Sequence, residues 1–490
     1  MGYQHRFHPC VDRTAIECLY PIHYDFRIGF GGLAGAGLLD KLIDRQPLHH
    51  WGRQCGEEPM STSPSPFDPM KIGALEIPGR IFKTATSETS ADPDGFVTDR
   101  LIHFYDQMAR GGTPMMITGN LYAGPLGKST RNMTGIDTDE KIPGLRRLTD
   151  HVHGLGSLLS CQLSHCGRQV VSGVMGFDPL SASAVREPTM GTMPREITQA
   201  EIAVVVEEFS AAAGRAVEAG FDGIQIHGGH GYLISQFLTP HTNRRSDDYG
   251  GSFENRTRLL VQLLRAVRGV TGPTYPILLK LNGADALPGR RGLETEELVR
   301  VGRVAQDEGV DAIEVSVGHY ESGFRMCAGS FSGFYRDFLE KGSGRDMTKA
   351  RRAALGLLHP VLDRMSGWMW PPREGFNLEY ARRFKAALDI PVISVGGFQT
   401  KEAIRAALEH SHVDAVSCGR QFIADPFFYR HLRRGPPGPT CSFCNRCLAR
   451  TGYESIDCFD PPVREAKERM LRAETSTDRR TDRAEAQLSP

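Results

Sequence analysis

The 490-residue sequence lacks an excess of charge of either sign, with 58 Lys plus Arg balanced by 58 Asp plus Glu. Without a basic excess the composition indicates no nucleic-acid partner, and no block of like charge indicates a membrane surface. The longest apolar stretch near the N-terminus, residues 28–39, is too short to cross a bilayer. This stretch is preceded by polar and charged residues, an arrangement that differs from that of a secretory signal peptide. We expect a soluble, cytoplasmic protein with a small-molecule substrate and no nucleic-acid or membrane partner; homo-oligomerisation stays open.

A disulfide framework is also missing, because the eleven cysteines are odd in number and scattered along the chain. Four of them form a C-x2-C-x2-C-x10-C pattern near the C-terminus: Cys441, Cys444, Cys447 and Cys458. Four thiolates at such spacings can bind an iron–sulfur cluster or zinc. A reduced, structural cysteine group is the favoured interpretation, so no metal site is predicted.

Regular periodicity is absent from residues 1–65, which we expect to be an irregular, disordered extension. Met60 would be a natural start for the patterned part of the chain. Residues 66–435 alternate between strand-like and helix-like patterns, with an insertion at 318–376. Residues 436–490 are predicted to be a Cys-rich segment and a charged, disordered tail.

Eight short apolar runs predict strands, and stretches of helical period lie between them. The runs are 80–85, 114–119, 157–163, 222–227, 276–281, 311–316, 391–396 and 414–419. Eight alternating strands and helices predict an α/β fold, a (β/α)8 TIM barrel. A doubly wound sheet would carry a Gly-rich fingerprint after its first strand, and none is present after the first run.

The strand ends carry the candidate chemistry, because active sites of such barrels lie there. The fourth run ends in His227, and His230 and Tyr232 come directly after it. The two histidines could bind a metal, or donate hydrogen bonds to a substrate carbonyl. No carboxylate precedes Ser246 nearby to complete a hydrolase-type metal site, which favours the second interpretation. Tyr232 could donate a proton.

The fifth, seventh and eighth runs end in a cation and in glycine turns. Lys280 comes after apolar residues, so its charge must face the open mouth or lie at the surface. Gly396 and Gly397 end run seven, and Gly419 and Arg420 end run eight. Barrels of this kind bind phosphate there, which predicts a phosphorylated cofactor or substrate. Ordinary tight turns are the alternative.

Five stretches together resemble the Old Yellow Enzyme family of FMN-dependent NAD(P)H oxidoreductases, near the branch of the 2,4-dienoyl-CoA reductase barrel. In chain order they are CQLSHCGRQ, HGYLISQFLTP, DDYGGSFENR, VISVGGF and CGRQFIADPFF. The resemblance spans about residues 66–435. It implies bound FMN, NADH or NADPH as co-substrate, and reduction of activated C=C bonds in an alkene substrate, as in ene-reductases.

The resemblance also implies roles for individual residues. The flavin contacts would be Thr84, Ala85, Thr86, Asn120, Gln162 and Lys280. The phosphate contacts would be Gly396, Gly397, Gly419 and Arg420. The catalytic residues would be His227 and His230, which hold the substrate oxygen, and Tyr232, which supplies the proton.

The sequence departs from the family in three places. Ser87 replaces a Cys or His near the flavin. Lys280 stands where Arg is usual, so the positive charge is kept but the planar guanidinium, which can donate two parallel hydrogen bonds, is lost. The branch carries a 4Fe–4S centre on four cysteines, but its last two spacings are each one residue longer. Two other functions stay open: a metal-dependent barrel lyase or hydrolase that uses the histidine pair, and a non-catalytic flavin-binding protein.

Overall fold

The computed structural model describes residues 63–488, except 171–174, 190, 288, 290–291 and 410–411, and side chains as far as residue 474. Its strands are β1 Met70–Ile72, β2 Leu75–Ile77, β3 Ile81–Lys83, β4 Met115–Tyr122, β5 Leu158–Ser164, β6 Leu180–Ser181, β7 Arg195–Glu196, β8 Gly223–His227, β9 Ile277–Asn282, β10 Ala312–Ser316, β11 Val392–Val395 and β12 Ala415–Cys418. The predicted extension lies almost wholly outside the described residues, and its disorder stays a prediction.

Eight parallel strands close into a barrel in the order β10-β11-β12-β3-β4-β5-β8-β9. Each of the eight predicted apolar runs contributes one of these strands, so the predicted TIM barrel is confirmed. The register places the strand-end polar residues side by side. His227 lies opposite Lys280, and Lys280 lies opposite Glu314 on the next strand. Asn120 lies opposite Gln162.

Helices alternate with the strands and cover the barrel. They are α1 Asp99–Arg110, α2 Ile142–Gly154, α3 Gln199–Glu218, α4 Leu233–Leu238, α5 Phe253–Thr271, α6 Thr295–Asp307, α7 Phe334–Lys341, α8 Lys349–Met369, α9 Leu378–Lys385, α10 Lys401–Leu408, α11 Arg420–Ala424, α12 Phe428–Arg434, α13 Arg446–Ala449 and α14 Pro461–Leu488. Short 3-10 helices span Pro125–Gly127, Asp139–Lys141, Tyr320–Ser322, Arg325–Cys327 and Ser343–Asp346. None of the helices in this part of the chain combines the length and apolar character that a bilayer crossing requires.

Local sequence explains where the long helices begin. Thr198 accepts a hydrogen bond from the Glu201 N–H, and the Glu201 carboxylate accepts one from the Thr198 N–H, a capping box that starts α3. Ser252 caps α5 through the Asn255 N–H. Both helices bury an apolar face against the barrel.

The closed end of the barrel is plugged by an N-terminal hairpin. Strands β1 and β2 pair antiparallel, and Met70, Ile72 and Ile77 pack in one cluster with inward-facing barrel residues such as Phe82 and Leu278. The larger core lies between the barrel and its helices. With one end filled by apolar side chains, the other end is left to hold a ligand.

Residues 318–376, predicted as an insertion, form α7, α8 and three short 3-10 helices. The Cys-rich segment packs on this insertion through a shared carboxylate. Asp337 accepts hydrogen bonds from Arg446 Nε at 2.8 Å and from Arg450 Nη2 at 2.8 Å. The two segments that lack the barrel period therefore fold against each other.

The last described element is a helix, and the disorder expected of the charged tail stays a prediction. The structure places residues 461–488 in helix α14. Its first turns carry i,i+4 ion pairs, Arg464 with Glu468 and Arg469 with Glu465. Ion pairs at this spacing and the scarcity of glycine stabilise a helix through local interactions. The overall charge content of the segment does not predict this helix.

The charged loop between β8 and α5 is held by its own ion pairs. Arg245 forms a forked pair with Asp247, at 2.9 Å to Oδ1 and 2.6 Å to Oδ2. Arg256 donates to the Leu238 carbonyl and to Glu297. These contacts fix the long connection that leaves the end of β8.

Candidate active site

A single cavity at the C-terminal ends of the barrel strands brings together all thirteen predicted site residues. They are Thr84, Ala85, Thr86, Asn120, Gln162, His227, His230, Tyr232, Lys280, Gly396, Gly397, Gly419 and Arg420. Ser87 lines the same cavity. His165 and Arg168, which come after β5, are buried beside it and do not line it.

The cavity has two walls. The strand-end wall comprises the thirteen predicted residues together with Ser87, Ser316, Val395, Phe398, Gln399, Gln421 and Ile423. The outer wall comes from the insertion and the Cys-rich segment. It comprises Tyr320, Met326, Cys327, Phe376, Asn377, Phe443, Asn445, Cys447, Leu448, Thr451 and Ile456. Sequence reasoning identified most residues of the first wall. Of the second wall it named only Cys447, as a possible metal ligand, and it expected the insertion to shape the pocket without naming residues.

His227 is held as a neutral ring. Its Nδ1 accepts a hydrogen bond from the Gly229 N–H at 3.3 Å, which leaves the ring proton on Nε2. Burial, the neighbouring His230 and the cation of Lys280 together lower the His227 pKa well below its usual range. A neutral imidazole with a proton on Nε2 can donate a hydrogen bond to a ligand oxygen.

His230 sits in a strained turn directly after β8. Its backbone φ is +57°, a left-handed conformation that non-glycine residues rarely adopt. The His230 backbone N–H donates to Asn282 Oδ1 at 3.0 Å, and the His230 Nε2 lies 2.7 Å from Ser316 Oγ. Burial and Lys280 lower its pKa to about 3. The turn therefore aims a second neutral imidazole into the cavity beside His227, with ring centres 5.2 Å apart.

Tyr232 completes the cluster. Its ring centre lies 4.5 Å from that of His227, and its hydroxyl lies 3.0 Å from the Tyr320 hydroxyl. Burial and the Tyr320 neighbour raise its pKa well above the usual range. Tyr232 is therefore protonated, as a proton donor must be before it acts.

Lys280 takes part in a buried network around a carboxylate that sequence reasoning missed. Its Nζ lies 3.0 Å from Glu314 Oε2 and donates to Thr84 Oγ1 at 2.9 Å. Glu314 also accepts from Thr84 Oγ1 at 2.6 Å and from Ser417. Burial raises the Glu314 pKa, but Lys280 and the hydroxyl donors outweigh burial, and the pKa lies below its ordinary value.

The same network continues to the predicted flavin-contacting amide. Gln225 Nε2 donates to Glu314 Oε2 at 2.9 Å, and Gln162 Nε2 donates to Gln225 Oε1 at 2.6 Å. The chain of donors fixes the orientation of the Gln162 amide and leaves its Oε1 for an N–H of a ligand. Glu314 could have been found from sequence by the signal that revealed Lys280, a charge inside an apolar run.

The glycine turns after β11 and β12 have no room for side chains. Gly397 has φ +74°, and a Cβ there would lie 2.8 Å from the Arg373 carbonyl oxygen. A Cβ on Gly396 would lie 3.0 Å from the Asn377 backbone nitrogen. Packing against residues 373–377 therefore requires glycine at both positions, and their backbone lines the floor of the cavity, as in a phosphate site.

Arg420 makes contacts that sequence reasoning did not foresee. Its Nη1 donates to the Ala328 carbonyl at 2.9 Å and to Asn445 Oδ1. Its guanidinium carbon also lies 4.9 Å from the ring centre of Phe443. Arg420 therefore joins the strand-end wall to both segments of the outer wall, in addition to any contact with a ligand.

The chemistry of these residues fits FMN. Thr86 Oγ1 is buried and has no hydrogen-bond partner among the described residues. Such a hydroxyl indicates a missing polar partner. A neutral amide at Gln162, a cation at Lys280 and the glycine floor match a flavin ring and its phosphate.

The four C-terminal cysteines lie as free thiols. In the described part of the chain, no three His, Cys, Asp or Glu side chains form a group that could hold a metal ion. Cys447 lines the cavity, and burial raises the Cys458 pKa to about 12. The residues as they lie do not fit zinc or a cluster, and the alternative that the four cysteines bind one is untested.

Comparison with known proteins agrees with this geometry. The model of the NADH:flavin oxidoreductase / NADH oxidase family matches residues 65–330. The chain is 32% identical over 404 residues to an NADH oxidase of Thermoanaerobacter brockii, covering 81% of this chain and 55% of that protein. It is 31% identical over 403 residues to a 4,4'-dithiodibutanoate disulfide reductase of Rhodococcus erythropolis, covering 81% and 96%.

Solved structures show the same fold. An old yellow enzyme homologue from Zymomonas mobilis superposes with a TM-score of 0.61 at 24% identity, over 82% of this chain and 98% of that one. The chain spans little more than half of the NADH oxidase but nearly all of the disulfide reductase.

Proposed function

Since the chain belongs to the NADH:flavin oxidoreductase / NADH oxidase family, we propose that it binds FMN in this cavity and uses NADH or NADPH to reduce activated C=C bonds of enone-type substrates. The membership confirms the resemblance to the Old Yellow Enzyme family. One observation carries the proposal: two neutral histidines, a protonated tyrosine and a buried lysine line one cavity with the glycine floor.

The proposed FMN site uses the strand-end wall. The residues that would hold it are Thr84, Ala85, Thr86, Asn120, Gln162, Lys280, Gly396, Gly397, Gly419 and Arg420. When bound, FMN supplies hydride transfer, from NAD(P)H in a first half-reaction and to the β-carbon of the alkene in a second.

Lys280 supplies a fixed positive charge to this site. Of the three ammonium protons, one is donated to Thr84 and one faces Glu314, which leaves one for a ligand. Because Glu314 shares the charge, the site gains a hydrogen-bond donor without a full uncompensated cation. A ligand that gains negative charge during the reaction would be stabilised by it.

His227 and His230 would act on the substrate. His227 is buried and His230 half-buried, and both are neutral, so each can donate a hydrogen bond to a carbonyl oxygen without carrying charge of its own. Donors aimed at an oxygen that becomes negative stabilise the transition state more than the ground state. The pair therefore favours substrates in which a carbonyl activates the alkene.

Tyr232 would donate a proton to the α-carbon while the β-carbon receives hydride. Its raised pKa keeps the proton in place until the substrate becomes basic. Tyr320, 3.0 Å away, can accept or donate a hydrogen bond to the Tyr232 hydroxyl and hold its orientation. The product then has both new C–H bonds, and NAD(P)+ is left.

The purified protein tests the proposal directly. It is expected to be yellow, to bleach with NADH or NADPH without oxygen, and to regain colour when an enone such as cyclohexenone is added. A colourless protein that is active with a divalent metal would support the lyase or hydrolase alternative. A yellow protein that NAD(P)H bleaches and no enone re-oxidises would overturn the substrate assignment alone.

A further inference from the structure

Helix α8 in the insertion presents an apolar face to solvent. The exposed apolar side chains that share one side of the helix are Ala350, Ala354, Leu357, Leu358, Val361, Met365, Trp368 and Met369, and Ala353 and Pro360 are exposed beyond one edge of it. At 3.6 residues per turn the side chains that share this side fall in one sector of roughly 120°. Leu357 is 83% exposed and Trp368 82% exposed, which is far more than large apolar side chains normally show.

The opposite face of α8 is the one that packs against the protein. Asp363 accepts the N–H groups of Gly333 and Tyr335, both at 3.1 Å. Ser366 is buried, and Gly367 leaves room for the Ser330 backbone, whose oxygen would lie 2.7 Å from a Cβ. The usual arrangement of an amphipathic surface helix is thus reversed, with polar contacts inside and apolar side chains outside.

Cations border the apolar face. Arg351 and Arg364 are exposed there, and neither forms an ion pair with a described residue. The acid of the helix, Asp363, is engaged by backbone N–H groups. By the helical repeat, Arg364 lies at one edge of the apolar sector and Arg351 at the other. A chain of zero net charge therefore concentrates unpaired positive charge around one apolar surface.

We propose that α8 docks on an anionic lipid bilayer, with its apolar face in the interface and its cations on the lipid headgroups. A basic helix with Trp, Leu and Met on one face binds such interfaces, and long basic side chains reach the headgroups from their edges. The proposal revises the sequence expectation of no membrane partner. It is independent of the proposed reaction.

Charge complementarity favours lipid over a second copy of the chain. Two α8 helices packed face to face would bring Arg351 and Arg364 of each copy to the shared edge, with no free acid on the helix to pair with them. A bilayer supplies both an apolar layer and dense negative charge.

Co-sedimentation with vesicles tests the proposal on the full chain. Vesicles of phosphatidylcholine with 30% phosphatidylglycerol are expected to bind the protein, and pure phosphatidylcholine vesicles to bind it weakly. Arg351→Gln with Arg364→Gln should lower partitioning to anionic vesicles roughly 25-fold, since each cation near such a surface contributes about five-fold. Trp368→Ser should lower it roughly ten-fold.

The matched control is Val204→Ser on α3. Val204 is also an exposed apolar side chain, 51% exposed, but lies outside the α8 face. It should leave partitioning unchanged. All variants should keep wild-type thermal unfolding, because the substituted side chains are exposed.

Four outcomes would overturn the proposal. The first is no binding to anionic vesicles, and the second is binding that Val204→Ser reduces as much as Trp368→Ser. The third is a mass in light scattering that doubles with concentration and falls back in Trp368→Ser, which would assign the face to a second copy. The fourth is that polyglutamate, at the same concentration of negative charge, fully displaces the protein from the vesicles while Trp368→Ser has no effect. That result would assign the α8 face to an acidic protein partner.

Shielding within the chain gives a last check. If acrylamide quenching is the same in the wild type and in Trp368→Phe without vesicles, another part of the chain covers Trp368, and the proposal fails. If the wild type shows an extra quenchable fraction that anionic vesicles remove, the proposal is supported.

Discussion

The two walls of the cavity differ in how the chain builds them. The strand-end wall uses residues at fixed places in a repeating pattern. Its key side chains are held by several hydrogen bonds each, as the buried Glu314 and the half-buried His230 are. The outer wall comes from two segments that are far apart in sequence and meet through Asp337 and Arg420. The comparison teaches that the regular fold positions the residues proposed for the reaction, whereas the irregular segments close the cavity over them.

The sharpest contrast between the walls is expected from the histidine pair. His227→Ala with His230→Ala should slow re-oxidation of the reduced enzyme by an enone more than ~100-fold for each lost donor. Stopped-flow absorbance without oxygen measures this step. On the outer wall, Thr451→Val removes a hydroxyl that lines the same cavity and donates to the Cys447 carbonyl at 3.3 Å. It should change the rate only slightly, and an equal loss in Thr451→Val would erase the distinction between the walls.

Breaking the buried pair tests the stability of the strand-end wall. Lys280→Met leaves Glu314 buried without its cation and should lower the free energy of unfolding by about 3–5 kcal/mol in urea titrations. On the outer wall, Arg446→Met leaves Asp337 with Arg450, so a loss of about 1 kcal/mol is expected.

The same pair predicts a pH dependence. The Glu314 pKa lies below its ordinary 4.5, so its contribution to stability is complete above pH 4.5 and is lost as the pH falls through the lowered value. The stability difference between the wild type and Lys280→Met should therefore shrink below pH 4.5. A difference that stays constant down to pH 3 would contradict the assignment of this pair.

Two tyrosines whose hydroxyls touch across the walls give the next test. Tyr232→Phe should slow re-oxidation by an enone about 100-fold, the scale of general acid catalysis, and leave bleaching by NAD(P)H nearly unchanged. Tyr320→Phe should cost less than about ten-fold, because it only orients Tyr232. Equal losses in both half-reactions for Tyr232→Phe would show that the residue acts through structure.

The smallest effect is expected where the walls join. Arg420→Ala should weaken FMN binding by about 1.5–3 kcal/mol if the guanidinium contacts the phosphate. Asn445→Ala keeps the cation and removes one of its outer-wall partners, so a smaller loss of about 0.5–1.5 kcal/mol is expected. Fluorescence titration of the apoprotein with FMN measures both, and equal losses would make Arg420 a tether between the walls.

The barrel could be predicted from the sequence because each of its strands is buried on both faces and is therefore a continuous apolar run. The strand ends are then fixed as well, and with them His227, Lys280 and the glycine turns. Tyr320 and Asn445 could not be found in this way, because their positions depend on loops whose path is set by tertiary contacts. Glu314 was missed although its strand was predicted, since a carboxylate in an apolar run was read as part of the strand pattern.

The outer wall also sets a time order for biosynthesis. Residues that line the cavity run from Thr84 to Ile456, almost the whole described chain. A nascent chain on the ribosome can pair its barrel strands once residue 418 has emerged, but Phe443 and Ile456 are still to be translated. The ligand cavity is therefore completed only after all eight barrel strands and the Cys-rich segment have been translated.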